Sequence, residues 1–195
     1  MRIAGVPSLA FTRPGDVRVV IAIGNSTLDR CYTPRVSDTY SLNDRAIAFL
    51  RIAVGVFFLI FGEYKVFGSQ FAFGGGFQFW IHKFLDGGAY PFMVPVLRGF
   101  VLPHATAIAL LAGYGEFAIG LALCLGILVR PASVAGIVYM LTLLFSSDYP
   151  GAHAPFWQYF GASLSHSVFA VCFLTFLLGE SERMWSYAAW RKRRG

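Results

Sequence analysis

Four long apolar segments constrain this chain more than any other feature. Each is roughly 17–25 residues long, the length that a hydrocarbon core of about 30 Å demands of a helix. Soluble helices of that length carry a polar stripe, and these segments carry none. Hydrophobic residues make up 56% of the chain and charged residues 13%, about half the charged fraction of a soluble domain. The pattern predicts an all-α integral membrane four-helix bundle with helices at residues 46–67, 105–129, 131–147 and 159–179.

Lysines and arginines are distributed unevenly around these segments. Arginines precede or open the first segment, Arg130 lies in the turn between the second and third, and five basic residues follow the fourth. The opposite side carries Lys65, Lys83 and Arg98. Because cytoplasmic flanks are enriched in Lys and Arg, a multi-pass protein of the cell inner membrane is expected, with both termini cytoplasmic. The net charge of +6 belongs to these flanks, so the lipid bilayer, and not nucleic acid, is the expected partner.

The chain divides into three parts on composition. Residues 1–44 are polar and mixed, and we interpret them as a cytoplasmic extension with one β-hairpin-like piece; a flexible tail is the alternative. Residues 45–180 form the predicted transmembrane domain. In the basic aromatic tail, residues 181–195, Trp185, Tyr187 and Trp190 alternate with basic residues. That pattern favours an amphipathic anchor that rests on anionic lipid.

An aromatic-rich loop, residues 68–102, connects the first two segments on the outer side. It holds too much Gly, Pro and charge to span a membrane, and it is too apolar to lie in water. Aromatic side chains favour the headgroup level of a bilayer, so Phe77–Leu85 is predicted to form a short interfacial helix. Phe79, Trp80 and Phe84 are therefore candidates for an interface, and His104 follows the loop.

An ionisable group inside a membrane span costs free energy, so the presence of each one needs an explanation. Glu116 shares a helix face with small residues, so it is predicted to point into the bundle, where a neighbouring helix can approach. His166 lies at a similar depth, about 20 Å against about 18 Å, with Tyr139 as a second candidate partner. Arg51 lies roughly 10 Å nearer the cytoplasm. This set is either a reactive site for a proton or a quinone headgroup, or a hydrogen-bonded brace.

Metal and covalent cofactor sites find little support in the sequence. Cys31, Cys124 and Cys172 are far apart and form no C-x-x-C pair. The histidines form neither an H-x-x-x-H nor an H-E-x-x-H pair. His104 and His166 differ in depth by roughly 10 Å, which makes a bis-His haem the weaker alternative. We therefore expect no metal and no covalently bound cofactor.

Three stretches carry a resemblance to a known family. They are Arg51, Gly55, Gly62 and Lys65 in the first segment, Val101-Leu102-Pro103-His104, and Glu116, Gly120, Gly126 and Arg130 in the second. In these residues the chain resembles the DoxX family, which includes the DoxD-like membrane subunits of thiosulfate:quinone oxidoreductase. The resemblance covers about residues 46–147, and the chain departs from the expected family ending after Gly179.

The resemblance implies a subunit of a redox complex, of respiratory type and quinone-linked, that anchors partner subunits. On that basis Phe79, Trp80, Phe84 and His104 become candidates for a position near a quinone. The sequence shows no dithiol centre, flavin motif or haem ligands, so any electrons are expected to come from a partner or to go directly to bound quinone. The alternative is a non-catalytic accessory subunit on the periphery of a large membrane complex. A small-solute transporter is less favoured because no inverted repeat is visible.

Overall fold

The computed structural model describes residues 22–23, 26–27, 42–161, 164–179 and 181–194. The chain divides into two compact units, Met1–Thr39 and Tyr40–Gly195. In the first unit, β1 (Ala22–Ile23) pairs antiparallel with β2 (Ser26–Thr27). This pairing matches the predicted hairpin-like piece. Residues 42–44, which the sequence predicts to belong to the extension, are helical, and the remainder of that prediction lies outside the described residues.

The described part of the second unit is built from helices. Its α-helices are α1 (Leu42–Phe67), α2 (Ser69–Ala72), α3 (Gly76–Lys83), α4 (Val94–Val96), α5 (Ala105–Leu125), α6 (Val129–Ser147), α7 (Ser165–Leu178) and α8 (Tyr187–Arg194). Two π-helical segments, Phe84–Gly88 and Leu97–Val101, and two 3-10 segments, Phe156–Phe160 and Ser181–Arg183, lie between them.

Three of the described helices, α1, α5 and α6, are long and apolar enough to cross a membrane. The fourth apolar helix, α7, has 14 residues, so it extends about 21 Å against the roughly 30 Å of a hydrocarbon core. The sequence predicts one helix over 159–179, whereas the structure begins α7 at Ser165. The backbone explains the difference, because Gly161 (φ 98°) and Leu164 (φ 57°) are both left-handed and interrupt the helix.

The turn between α5 and α6 also differs from the prediction of a helix to Val129. Gly126 adopts a left-handed φ of 65°, and Ile127 N–H donates to the Ala122 carbonyl over 3.0 Å. This is the glycine-dependent way in which helices commonly end. The helix therefore stops at Leu125, and α6 begins at Val129 with Pro131 in its first turn.

Glycines bring α1 and α5 into close contact. A Cβ on Gly62 would lie 2.6 Å from the backbone nitrogen of Phe117, and one on Gly120 would lie 2.7 Å from that of Leu59. These are the small-residue faces that the sequence predicts for helix packing, and the prediction is confirmed. Close backbone approach of this kind replaces the hydrophobic effect as the force between helices in lipid.

A second helix pair, α6 and α7, packs in the same way, with the fully buried ring of Phe173 lying over Gly136. Buried side chains from α1, α5, α6 and α7 meet in one core cluster, whose members are Val54, Phe58, Ile119, Leu123, Val129, Met140, Phe173 and Phe176. Large apolar side chains also cover the outer faces of these helices, among them Phe57, Ile60, Leu111, Val138, Val168 and Val171. An apolar exterior of this extent suits contact with lipid chains.

The aromatic-rich loop, residues 68–102, folds back onto the beginning of α5. Phe71, Phe77, Ile81 and Leu97 are buried in a second apolar cluster with Ala105 and Ala109. The short helix predicted at 77–85 is present as α3, which continues into the π-helical segment Phe84–Gly88. Its position at a membrane surface stays a prediction. Tyr90 secures the loop, since its hydroxyl donates to the Tyr159 carbonyl over 2.8 Å. Burial raises the pKa of Tyr90, and Tyr159 adds to the effect.

Candidate functional site

Three polar side chains from three helices meet inside the bundle. Lys65 Nζ of α1 lies 2.6 Å from a carboxylate oxygen of Glu116 on α5 and 3.3 Å from the hydroxyl oxygen of Tyr139 on α6. The Tyr139 hydroxyl in turn donates to Glu116 Oε1. We call this group the Lys65–Glu116–Tyr139 cluster. It joins one cation, one carboxylate and one phenol by mutual hydrogen bonds.

Small residues make room for the cluster. A Cβ on Gly113 would lie 3.0 Å from Lys65 Cβ, so the lysine stem runs along the α5 backbone. The ammonium group then lies 5.2 Å from the Phe71 ring centroid and 5.9 Å from that of Tyr139. Rings at this distance attract a cation through their quadrupoles. The absence of a side chain at Gly113 therefore allows Lys65 to pass close to α5.

The cluster is shielded from its surroundings but not sealed. The side chain of Glu116 is 7% exposed and that of Lys65 is 19% exposed. Opposite charges at contact offset the large cost of removing each ion from water. Glu116 Oε2 takes part in the ion pair, yet it accepts no directed hydrogen bond from the described residues. One carboxylate lone-pair direction is therefore available to a further donor.

Two cavities adjoin the cluster. The smaller, about 280 Å³, is lined by Lys65, Glu116 and His166 among aromatic and aliphatic side chains. The larger, about 580 Å³, shares Lys65 and His166 with the first and adds Tyr139 and Trp80. Most of both linings is apolar, including Phe61 and Leu143, which face both cavities. Convergent polar groups in an apolar cavity are typical of small-molecule sites.

His166 enters this region from α7 with its own partner. Its Nδ1 lies 2.7 Å from Oδ2 of Asp148, and Ser147 Oγ donates to Asp148 Oδ1 over 3.0 Å. A carboxylate on Nδ1 fixes which ring nitrogen carries the proton and turns Nε2 away from Asp148. The sequence predicts that Glu116 and His166 lie near each other. They line one cavity, and each is bonded to a different partner.

Arg51 lies outside this site. Its side chain is fully buried, and its guanidinium donates to backbone carbonyls of the C-terminal segment, at Ser181, Met184 and Trp185. The sequence-based set of Glu116, His166, Tyr139 and Arg51 is thus divided. The first three surround the smaller cavity or its cluster, and Arg51 belongs to a separate contact.

The outer-loop candidates are also divided. Trp80 and Phe84 line the larger cavity, whereas Phe79 is 63% exposed and contacts the Trp80 ring from outside. His104 is exposed, with Nδ1 2.9 Å from the Phe100 carbonyl oxygen. No group of three metal-ligating side chains comes together among the described residues.

Sequence reasoning missed Lys65 and Asp148. Lys65 counts as an outer flanking charge in the topology argument, although it continues the face of Gly55 and Gly62. Asp148 directly follows α6 and looks like a solvated loop residue. The sequence did contain a signal for Lys65. When the small-residue faces of α1 and α5 pack antiparallel, Lys65 lies within about one helical turn of Glu116.

Comparison with known proteins complements this geometry. The DoxX family profile matches residues 46–147, more than half of the chain. Curated proteins and solved structures give no match. The matched region contains Lys65, Glu116 and Tyr139, together with most of α1 and all of α5 and α6, the three helices that are long and apolar enough to span a membrane. The chain is therefore a membrane protein that belongs to the DoxX family.

Proposed function

We propose that this protein is a DoxX/DoxD-like integral membrane subunit of a quinone-linked redox complex. Its cavities would bind a quinone headgroup beside the Lys65–Glu116–Tyr139 cluster, and the subunit would anchor its redox partners in the membrane. The observation that carries the proposal is a hydrogen-bonded cation, carboxylate and phenol at the wall of an aromatic cavity.

The chemistry of the lining fits such a ligand. A quinone is a flat apolar ring with two carbonyl oxygens, so it needs apolar walls and hydrogen-bond donors. Phe61, Trp80 and Leu143 supply apolar walls, and the ammonium of Lys65 supplies a donor. The larger volume, about 580 Å³, falls within the roughly 300–1,000 Å³ of common ligand sites.

The cluster is also suited to moving protons. Lys65 and Tyr139 are donors, and Glu116 accepts from both, so a proton can move from one member of the cluster to another, while a proton that leaves the cluster must be replaced from outside it. His166, held by Asp148, offers a second titratable group across the smaller cavity. Reduction of a quinone to a quinol consumes two electrons and two protons. We propose that the protons pass through these residues and that a reduced partner subunit supplies the electrons.

The membrane arrangement forms part of the same proposal. We propose that α7 crosses the membrane beside α1, α5 and α6, with the 3-10 segment Phe156–Phe160 making up the length that 14 residues lack. The packing of Phe173 over Gly136 and the exposed apolar face of α7 support this. The basic flanks favour a cytoplasmic position for both termini, in the inner membrane. The outer aromatic loop, with Phe79 exposed, would contact partner subunits.

Binding of short-chain quinone analogues to the detergent-purified protein tests the proposal directly. Trp80 lines the larger cavity, so quenching of its fluorescence reports occupancy in a Trp157→Phe, Trp185→Phe, Trp190→Phe background. We expect Tyr139→Phe and Glu116→Gln to weaken binding about 10-fold or more, the scale of a lost hydrogen bond to a charged group. The matched control is Tyr114→Phe, an exposed tyrosine of α5 that lines neither cavity.

Two outcomes would contradict the proposal. Saturable quenching that is equally strong in the parent, Tyr139→Phe and Glu116→Gln would place the ligand elsewhere. No saturable quenching in the parent would leave the cluster as an interhelical brace. The protein would then be best explained as a structural accessory subunit, which the ion pair between α1 and α5 also allows.

A further inference from the structure

The C-terminal segment is attached to the bundle by a buried arginine. Arg51 Nη1 donates to the Ser181 carbonyl over 2.8 Å, and Nη2 donates to those of Met184 and Trp185 over 3.3 and 2.7 Å. The arginine is 0% exposed and Ser181 is 3% exposed. A charge held so deep by three carbonyls of one segment fixes the backbone of that segment. We call this contact the Arg51 clasp.

Local structure continues the clasp into α8. Ser186 Oγ accepts the N–H of Ala189 over 3.0 Å, which caps the first turn of α8. Gly126 lies against Ser186 and the Arg51 guanidinium, where a side chain would not fit. Trp185 adopts a left-handed φ of 46°, a conformation that a bulky residue rarely takes. The segment from Ser181 to α8 therefore has a specific backbone conformation that its hydrogen bonds and close packing hold in place.

The clasp leaves aromatic side chains facing outward at this end of the bundle. Trp185 is 53% exposed, and Tyr187 and Trp190 are about half exposed with their rings stacked at 5.6 Å. Amphipathic rings of this kind concentrate at the level of lipid headgroups. Their position beside the ends of α1, α5 and α7 puts them where an apolar helix surface meets water.

Basic residues follow these rings in the sequence and also begin two helices at the same end of the bundle. The last residues of α8 read Arg191-Lys192-Arg193-Arg194, and exposed Arg45 and Arg130 lie on the first turns of α1 and α6 at the same end. The described acidic residues here are Asp44 and Glu182. Clusters of Lys and Arg beside a membrane helix attract anionic phospholipids, whereas neutral phospholipids gain nothing from them. Aromatic rings next to a basic run match the headgroup layer better than they match a protein groove.

We propose that α8 and Trp185 form an anionic-phospholipid binding surface, which the Arg51 clasp holds at the headgroup level. The surface is a fixed part of the membrane domain, so lipid composition acts on the bundle through Arg51 and α1. This inference does not depend on quinone binding and would still hold if the protein bound no quinone.

Fluorescence quenching by brominated lipids tests the surface in the full chain. Trp80→Phe and Trp157→Phe leave only Trp185 and Trp190 of the four tryptophans as reporters. The protein is reconstituted in phosphatidylcholine that contains equal small fractions of brominated phosphatidylglycerol or brominated phosphatidylcholine. We expect at least two-fold stronger quenching by the anionic lipid. Conversion of residues 191–194 to glutamine, which spares the clasp, should abolish the difference.

The role of Arg51 is tested in the same background. Arg51→Gln should lower quenching by both lipids and speed amide hydrogen exchange at residues 181–194. The matched control, Arg45→Gln, removes an exposed arginine of the same helix and should keep the parent exchange and most of the quenching. Equal quenching by the two lipids in the parent would overturn the proposal. Absence of quenching by either would also overturn it and would point to a protein partner on this face. If Arg51→Gln does not fold, the variant with glutamine at 191–194 decides the lipid preference alone.

Discussion

A double-mutant cycle on Lys65 and Glu116 tests how the buried cluster contributes to stability. At 2.6 Å and an effective dielectric of about 20, the attraction between the two charges is about 6 kcal/mol. Removing each ion from water costs several kcal/mol, so the net contribution of the pair is small. Loss of one partner is different, because it leaves a buried charge without its counter-ion. We expect Lys65→Leu and Glu116→Leu each to destabilise the protein by about 3–5 kcal/mol.

The double variant should recover most of that loss. With both charges gone, the remaining penalty is the Tyr139 hydroxyl, which loses both of its partners in the cluster, at about 1–3 kcal/mol. The two single effects would add to at least twice the effect of the double variant. Neighbouring groups in one network show non-additivity of this kind.

The protein is purified in mild detergent and unfolded by titration with a denaturing detergent. The titration measures these differences in the free energy of unfolding. Tyr139→Phe serves as a reference, since it removes the phenol and leaves the ion pair. Additive single effects would refute the reasoning, because they would mean that the two charges do not depend on each other. Single effects below about 1 kcal/mol would show that water reaches and solvates the site.

Three further predictions concern packing, topology and the outer loop. Gly62→Ala should destabilise the bundle by about 1–3 kcal/mol in the same unfolding assay, because its Cβ would meet the backbone of Phe117 at 2.6 Å. Gly115→Ala, on α5 with open space around it, should be neutral or stabilising by up to about 1 kcal/mol. A reporter fused after Gly195 should be cytoplasmic and one inserted at Gly151 external; an external C-terminus would contradict the four-span arrangement. Serine at three outer-loop positions should release a partner subunit or weaken quinone turnover while the bundle still inserts, and unchanged co-purification and turnover would exclude that role. The three positions are Phe79, Trp80 and Phe84.

The presence of the helices could be predicted from the sequence better than the residues at which they begin and end. The run from Tyr159 to Gly179 is apolar enough on average to be predicted as one helix, although a glycine, three serines and a histidine before Val168 make its beginning more polar. The break comes from left-handed backbone at Gly161 and Leu164, and leucine gives no sequence signal for that conformation. Gly126 is the contrasting case. A glycine directly before a short connection is a recognised stop signal, and it ends α5 four residues earlier than the hydropathy suggests.

The sequence predicted which residues belong to the candidate site better than it predicted which of them bond to each other. Burial of Glu116 on a small-residue face follows from spacing alone, because glycines three and four positions apart line one side of a helix. Its partner does not follow from spacing. Lys65 is adjacent in sequence to Tyr64, which is 66% exposed. Only the rotation of α1 about its own axis decides whether the lysine is buried or faces lipid.

The sequence by itself determined where apolar helices form and which of their faces pack, since both depend on periodicity within one segment. Tertiary structure alone decided which charged groups meet. Close approach of α1 and α5 at Gly62 and Gly120 sets a register that brings Lys65 to Glu116, and α6 then adds Tyr139. Arg51 has the same small-residue surroundings on α1, yet it binds carbonyls of a segment 130 residues away. Contacts between helices depend on their relative depth and rotation, and these are properties of the assembled bundle.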